Sequence, residues 1–76
     1  MHIWVTNLGV THMYSMLPTS SLLSLKKQIQ QDFGVKPADQ ELSRAGVFFS
    51  DDNALLSTLG IQHRDVLVLF ELQRSN

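Results

Sequence analysis

The side chains that could bind a metal ion are few and poorly spaced in this chain of 76 residues. The three histidines, His2, His12 and His63, have no second ligand three or four residues away, and there is no cysteine. Zinc sites are usually built from closely spaced histidines and cysteines. The polar turn of Asp51, Asp52 and Asn53 lacks the alternate spacing and closing glutamate of a calcium loop. We therefore expect no metal and no other cofactor.

Catalytic motifs are equally hard to find in the sequence. It contains no glycine-rich phosphate loop, no serine, histidine and aspartate set with plausible spacing, and no carboxylate pair in an apolar setting. A domain of this size also has little room for a substrate cleft. We expect a protein that is not an enzyme and that acts through its surfaces, which depend on the elements that build them.

The composition is that of one ordinary globular domain covering residues 1–76. The chain is 43% hydrophobic and 17% charged, whereas disordered chains have few apolar residues and a high net charge. Its formal net charge of -1 argues against nucleic acid as a partner. No apolar run reaches the roughly 20 residues of a membrane span, and the N-terminus does not resemble a secretory signal. We expect a monomer in the cytoplasm, the nucleus or both, with no membrane contact.

The beginning of the chain predicts a β-hairpin. Residues 1–6 alternate with the two-residue period of a half-buried strand, and the turn-forming sequence NLGV follows. A second strand is expected over residues 11–17, ended by Pro18, which cannot donate to a sheet ladder. Trp4 points away from the apolar side of its strand. It is either an exposed anchor or packed against a neighbour such as Met13, and we favour local packing.

The middle of the chain predicts one amphipathic helix. Ser20 or Ser21 is suited to cap its start, and Gly34 to take the left-handed conformation at its end. Four apolar residues fall on one helical stripe, at spacings of three, four and four: Leu22, Leu25, Ile29 and Phe33. The opposite face is expected to be solvated, and consists of Lys26, Lys27, Gln30 and Gln31.

The second half of the chain predicts two short strands and a long one. Residues 40–45 and 47–49 form strands pinched at Gly46, and the final run DVLVLF is apolar on both of its alternating faces. Between them, the stretch ALLSTLGI offers residues to pack under the sheet: Leu55 or Leu56, Leu59 and Ile61. The predicted fold is α+β, a mixed sheet of about five strands packed on one helix in two layers, which is the β-grasp arrangement.

The chain resembles ubiquitin over essentially its whole length. The opening MHIWV is similar to the family's first strand, LLSLKKQIQ followed by FGVKPADQEL to its helix and loop, RAG to a turn, and LSTLGIQ to a late turn. The resemblance also implies a difference. Ubiquitin ends in two glycines that are activated for conjugation, whereas this chain ends in Arg74, Ser75 and Asn76. Val47 and His63 stand where ubiquitin has its two most used chain-building lysines, so we expect a domain that is not conjugated.

The same resemblance implies a partner-binding patch on the sheet. Leu8, Val68 and Phe70 occupy three positions of ubiquitin's recognition patch, and Ser43 stands at its central apolar position. In the last strand, alternation puts Leu67 and Leu69 in the core and Val68 and Phe70 on the open face. Val47 is expected to replace part of the apolar area that Ser43 lacks. The candidate partner-binding residues are Leu8, Ser43, Gly46, Val47, Val68 and Phe70. The alternative is that this face is covered by the C-terminal segment or a neighbouring domain.

These residues lead to a hypothesis of function. The chain is expected to be a ubiquitin-like interaction domain that docks by its sheet face onto ubiquitin-binding domains, proteasomal ubiquitin receptors or ubiquitin itself. Its stretch SDDNALLSTLGIQHRDVLVLFE also resembles the DNA-damage-inducible shuttle proteins. The alternatives are an intramolecular regulatory domain of a ligase or deubiquitinase, and a modifier precursor whose two glycines lie beyond Asn76.

Overall fold

The computed structural model describes residues 1–72, and the expectations that concern the tail residues Arg74, Ser75 and Asn76 lie outside this range. The described part is a five-stranded sheet packed on one helix. The elements are β1 (His2–Asn7), β2 (Val10–Ser15), α1 (Leu22–Phe33), a 3-10 turn (Pro37–Asp39), β3 (Gln40–Arg44), β4 (Val47–Phe49) and β5 (Val66–Glu71). The strand order is β2-β1-β5-β3-β4, with β1 and β5 parallel and the other pairs antiparallel. The predicted α+β, β-grasp fold is confirmed.

The first hairpin closes through a tight turn at Leu8 and Gly9. Both residues have positive φ, 50° and 84°, a combination that matches the right-handed twist of the two strands. Because the turn needs only these two residues, β2 begins at Val10, one residue before the predicted start. It ends at Ser15 rather than residue 17, although the main chain of Met16 still donates to Met1 at 2.8 Å.

The helix begins and ends as its sequence predicts. Ser21 rather than Ser20 is the N-cap, because the Ser21 hydroxyl accepts from the Ser24 N–H at 3.1 Å. At the other end Gly34 has φ 72°, and its N–H donates to the Gln30 carbonyl at 2.9 Å. The predicted apolar stripe faces the sheet: Leu22, Leu25 and Ile29 are fully buried and Phe33 is partly buried.

The expectation that Lys26 is solvated is wrong. Its side chain is 7% exposed, and its Nζ lies 2.8 Å from Asp52 Oδ1. The polar turn after β4 folds back over the first part of the helix, where the N–H of Leu23 donates to the Asp52 carbonyl at 2.9 Å. This return of the chain covers the lysine stem and supplies its counter-ion. Lys27, on the same helical face, is exposed as predicted.

The core lies between the helix and one face of the sheet. Leu67 and Leu69 of β5 are buried in it, at the centre of the sheet. Of the two leucines proposed to pack beneath the sheet from the segment before β5, Leu56 is fully buried, whereas Leu55 is 39% exposed. The helix covers only one face, so the other face of the sheet has no covering layer within residues 1–72.

Candidate functional site

The last strand sends alternate side chains to opposite faces of the sheet. Leu67 and Leu69 are 0% and 1% exposed, as predicted for the core side. On the open face Phe70 is 49% exposed and Val68 is partly exposed. Because β5 lies in the middle of the sheet, these two residues can be contacted from outside only across this face.

Ser43 lies beneath aromatic side chains and is not itself a contact surface. It is paired with Val68 on one side and with Phe48 on the other, so the three side chains share the open face. The rings of Phe48 and Phe70 approach to 5.7 Å between centroids, at an angle of 48°. Ser43 is only 4% exposed, and its small side chain leaves room for the two rings to meet above it.

The sequence analysis missed Phe48. It assigned to Val47 the role of replacing the apolar area that Ser43 lacks. Val47 is 65% exposed, but its partner is Arg44, whose side chain turns to the helix side of the sheet. The expectation that Val47 fills the area lost at Ser43 is corrected, because the register gives that position to Phe48, which is 51% exposed. Ser43 and Phe48 are equally far from the two-residue turn between the strands, so they oppose each other across the hairpin and share a face. This reasoning from the sequence identifies Phe48.

The turn between β3 and β4 holds the two partners in register. Ala45 and Gly46 both have positive φ, 50° and 83°. Gly46 thus has a conformational role at the tip of the hairpin, and it is not one of the residues on the open face. A side chain is strained at such a φ whatever space surrounds it, so glycine is the favoured residue there.

Leu8 lies in the turn at the tip of the first hairpin and is 96% exposed. The side-chain amide of Asn7 donates to the Leu69 carbonyl at 2.8 Å, which ties this tip to β5. Thr6, near the end of β1, is the parallel partner of Val68, so the hairpin tip that carries Leu8 follows directly after this pairing. We define the open-face site by the side chains that the register puts on one face, together with Leu8 at the neighbouring hairpin tip: Leu8, Ser43, Phe48, Val68 and Phe70.

A second apolar group lies on the same face towards the start of β1. Trp4 is partly buried and has Met13 of β2 as its antiparallel partner and Val66 of β5 as its parallel partner. This register is that expected for local packing of the tryptophan against Met13. Met13 and Val66 are 51% and 54% exposed, so the apolar character of the face continues beyond the open-face site.

The loop that leads into β5 is held by an ion pair on the helix side of the sheet. Arg44 Nη1 donates to Asp65 Oδ2 at 2.7 Å and to the Gly60 carbonyl at 2.5 Å. Burial alone would raise the pKa of Asp65, but the Gln62 N–H and the Arg44 guanidinium hold this pKa below its ordinary value. The pair thus anchors the loop directly before β5, whose register with β1 and β3 positions Phe70.

The fold brings together two histidines that are far apart in sequence. His63 Nδ1 accepts from the His2 N–H at 2.9 Å, and the two ring centroids are 5.4 Å apart. His12 instead contacts Phe33 edge to face. Within residues 1–72 no group of three or more histidine, cysteine, aspartate or glutamate side chains is arranged to hold a metal ion. In the same range there is no helix with the length and apolar character to cross a membrane.

The arrangement is suited to contact rather than to chemistry. The open-face site offers two half-exposed aromatic rings, aliphatic side chains and a serine that is 4% exposed. Contiguous apolar patches on small proteins commonly mark binding sites. The register brings Ser43, Val68 and Phe70 to one face, Leu8 is exposed at the hairpin tip, and Gly46 and Val47 do not lie on the open face. The role of these residues in binding a partner stays a prediction.

Comparison with known proteins identifies relatives of the chain. The model of the ubiquitin family, described as "Ubiquitin family", matches residues 3–74. A protein named Ubiquitin carboxyl-terminal hydrolase 48, from Rattus norvegicus, is 45% identical over 49 residues. That match covers 64% of this chain and 5% of the length of the hydrolase, so the chain is similar to a small part of a much longer protein.

Proposed function

Because the chain belongs to the ubiquitin family, we propose that it is a non-conjugated docking domain that binds other proteins through the open face of its sheet. The observation that supports this proposal is the aromatic pair on that face. Phe48 and Phe70 are each about half exposed although their rings are in contact. Aromatic side chains contribute a disproportionate share of binding energy when a partner covers them.

The proposed partners are proteins of the ubiquitin system. They comprise ubiquitin-binding domains such as ubiquitin-interacting helices and ubiquitin-associated domains, proteasomal ubiquitin receptors, and ubiquitin itself. The exposed area is small, and small interfaces usually bind weakly, so we expect dissociation constants on the order of micromolar or higher. In this proposal the domain is a monomer without catalytic activity, it acts in the cytoplasm or nucleus, and its parent is a shuttle factor.

An NMR titration of the isotopically labelled chain tests the proposal. Ubiquitin, a ubiquitin-interacting helix and a ubiquitin-associated domain are added in turn. We expect chemical shift changes centred on Leu8, Phe48, Val68 and Phe70 with at least one of them. Silence with all three would overturn docking onto generic ubiquitin-system elements.

Two variants separate the open-face site from the rest of the surface. Phe70→Ala removes a half-exposed ring from the site and is expected to abolish the shift changes while the domain stays folded. Leu17→Ala removes an apolar side chain that is 66% exposed, after β2 and outside the site, and should leave binding unchanged. Equal loss of binding in both variants would contradict the assignment of the site.

A second candidate function is favoured by the similarity to the rat hydrolase. In this alternative the chain is a regulatory domain of a deubiquitinase, and its open face packs against the catalytic domain of the same protein. The supporting observation is the 45% identity over 49 residues. The sequence of the full transcript distinguishes the candidates. A hydrolase domain encoded upstream favours the regulatory domain, and a retroviral-type protease domain favours the shuttle factor. Two glycines encoded shortly after Asn76 favour a modifier precursor.

A further inference from the structure

We propose that the open-face site selects a partner segment carrying an arginine or lysine next to its apolar side chains, and that Glu41 and the rings of Phe48 and Phe70 hold this cation. The inference rests on the proposed docking function and specifies the chemistry of the partner. It follows from the charges around the aromatic pair.

Glu41 lies directly beside the aromatic ring that is central to the site. It is the antiparallel partner of Phe70, and directly opposed residues in a sheet point to the same face with their Cβ atoms about 5 Å apart. Glu41 is exposed, and it is the only charged side chain on the open-face positions of the five strands. Nothing described in residues 1–72 pairs with its carboxylate.

The positive charges of the described chain are elsewhere. Lys26 is paired with Asp52 and Arg44 with Asp65, both on the helix side of the sheet. Arg64 lies in the turn before β5, about 20 Å along the chain direction from Phe70 at 3.3 Å per strand residue. Lys27 is on the helix, and Lys36 precedes the 3-10 turn. Within residues 1–72 the carboxylate of Glu41 therefore faces no cation of its own chain.

The two rings add a second attraction for the same group. A guanidinium or ammonium ion is favoured over the face of an aromatic ring, and this attraction grows when a partner excludes water. Arginine suits the geometry best, since its flat guanidinium stacks on a ring while its N–H groups reach a carboxylate in the same plane. A partner with an acidic side chain at this position would instead meet Glu41 with a like charge.

The first experiment compares three synthetic helical peptides that share a leucine and alanine stripe and differ at one flanking residue, which is arginine, glutamine or glutamate. Each is titrated into the labelled chain and followed by NMR. We expect the arginine peptide to bind at least roughly threefold more tightly than the glutamine peptide, and the glutamate peptide most weakly. Equal affinities, or preference for glutamate, would overturn the inference while leaving docking in place.

A matched pair of variants tests whether Glu41 itself causes the preference. Glu41→Gln is expected to make the arginine and glutamine peptides equal. Glu71→Gln removes the same charge within the same end of the sheet, but alternation puts Glu71 on the opposite face, so the preference should persist. Loss of the preference in both variants would attribute it to net charge and contradict a contact at Glu41.

A small probe decides the question independently of the peptides. Butylguanidinium is titrated beside butanol at constant ionic strength, and we expect larger shift changes at Glu41, Phe48 and Phe70 with the cation. If no peptide binds, the docking proposal fails, and the butylguanidinium titration alone tests the cation site. Equal shift changes with both probes would then overturn the inference as well.

Discussion

Leu67 and Leu69, on one side of β5, are 0% and 1% exposed, whereas Phe70 on the other side is 49% exposed although it lies in the same central strand. The helix side is closed by apolar packing and its margins are sealed by two ion pairs. The open side retains aromatic rings without a covering layer. One strand thus serves stability with one face and presents a surface with the other, and substitutions should separate the two.

The largest expected effect is on the closed face. Leu67→Ala should lower the free energy of unfolding by roughly 2–5 kcal/mol, because it removes a fully buried side chain and leaves a cavity. Phe70→Ala, one face away, should cost less than about 1 kcal/mol, as surface substitutions usually do. Chemical denaturation of both variants measures the difference. Comparable losses would mean that the two faces are not energetically distinct.

The next prediction concerns the charged margin of the closed face. Lys26→Ala should destabilise the domain by about 1–3 kcal/mol, since it removes a buried stem and leaves Asp52 without its counter-ion. Lys27→Ala, at an exposed position of the same helix, should change stability by less than about 0.5 kcal/mol. Thermal or chemical denaturation compares the two variants. Equal losses of stability would contradict the buried position of Lys26.

A pH dependence should reveal the other ion pair. The pKa of Asp65 is lower in the folded state than its ordinary value near 4, so its ionised form stabilises the fold. This contribution is fully present above about pH 4 and is lost as the pH falls through the lowered pKa. Asp65→Asn should flatten the fall in unfolding free energy across that acidic range. An unchanged profile in denaturation experiments at several pH values would contradict this assignment.

The smallest effect on stability is expected at the second ring. Phe48 lies on an edge strand and is half exposed, so Phe48→Ala should lower the free energy of unfolding by no more than about 1 kcal/mol. It should nevertheless weaken docking, because Phe70 loses the ring that it contacts. Val47→Ala is the control, because the side chain of Val47, which precedes Phe48 in β4, points to the opposite face of the sheet. If Val47→Ala weakens binding more than Phe48→Ala, the assignment of the faces is wrong.

Local periodicity was sufficient to predict most of the fold. The alternation of β5, the helical stripe and the caps at Ser21 and Gly34 each depend on neighbours within one turn or one strand. The buried position of Lys26 was missed because its partner, Asp52, is 26 residues away and reaches it only after the chain returns over the helix. The contact of His2 with His63 was missed for the same reason, because the two residues are 61 positions apart and only the folded chain brings them together.

The candidate site was predicted in part for a related reason. Leu8, Val68 and Phe70 follow from resemblance and alternation. Val47 was predicted in place of Phe48 because the resemblance gives a position in the sequence but not the face of the sheet to which its side chain points. That side depends on the two-residue turn at Ala45 and Gly46, which sets the register of β3 against β4.

The parallel pairing of β1 with β5 has a mechanical consequence. These strands lie side by side in the middle of the sheet, with Trp4, Val5 and Thr6 beside Val66, Leu67 and Val68. A force that pulls residue 1 and residue 72 apart runs along both strands in opposite directions and loads their hydrogen bonds in shear. Those bonds must then rupture together rather than one after another. The domain should therefore resist stretching from its ends more strongly than peeling of the edge strand β4.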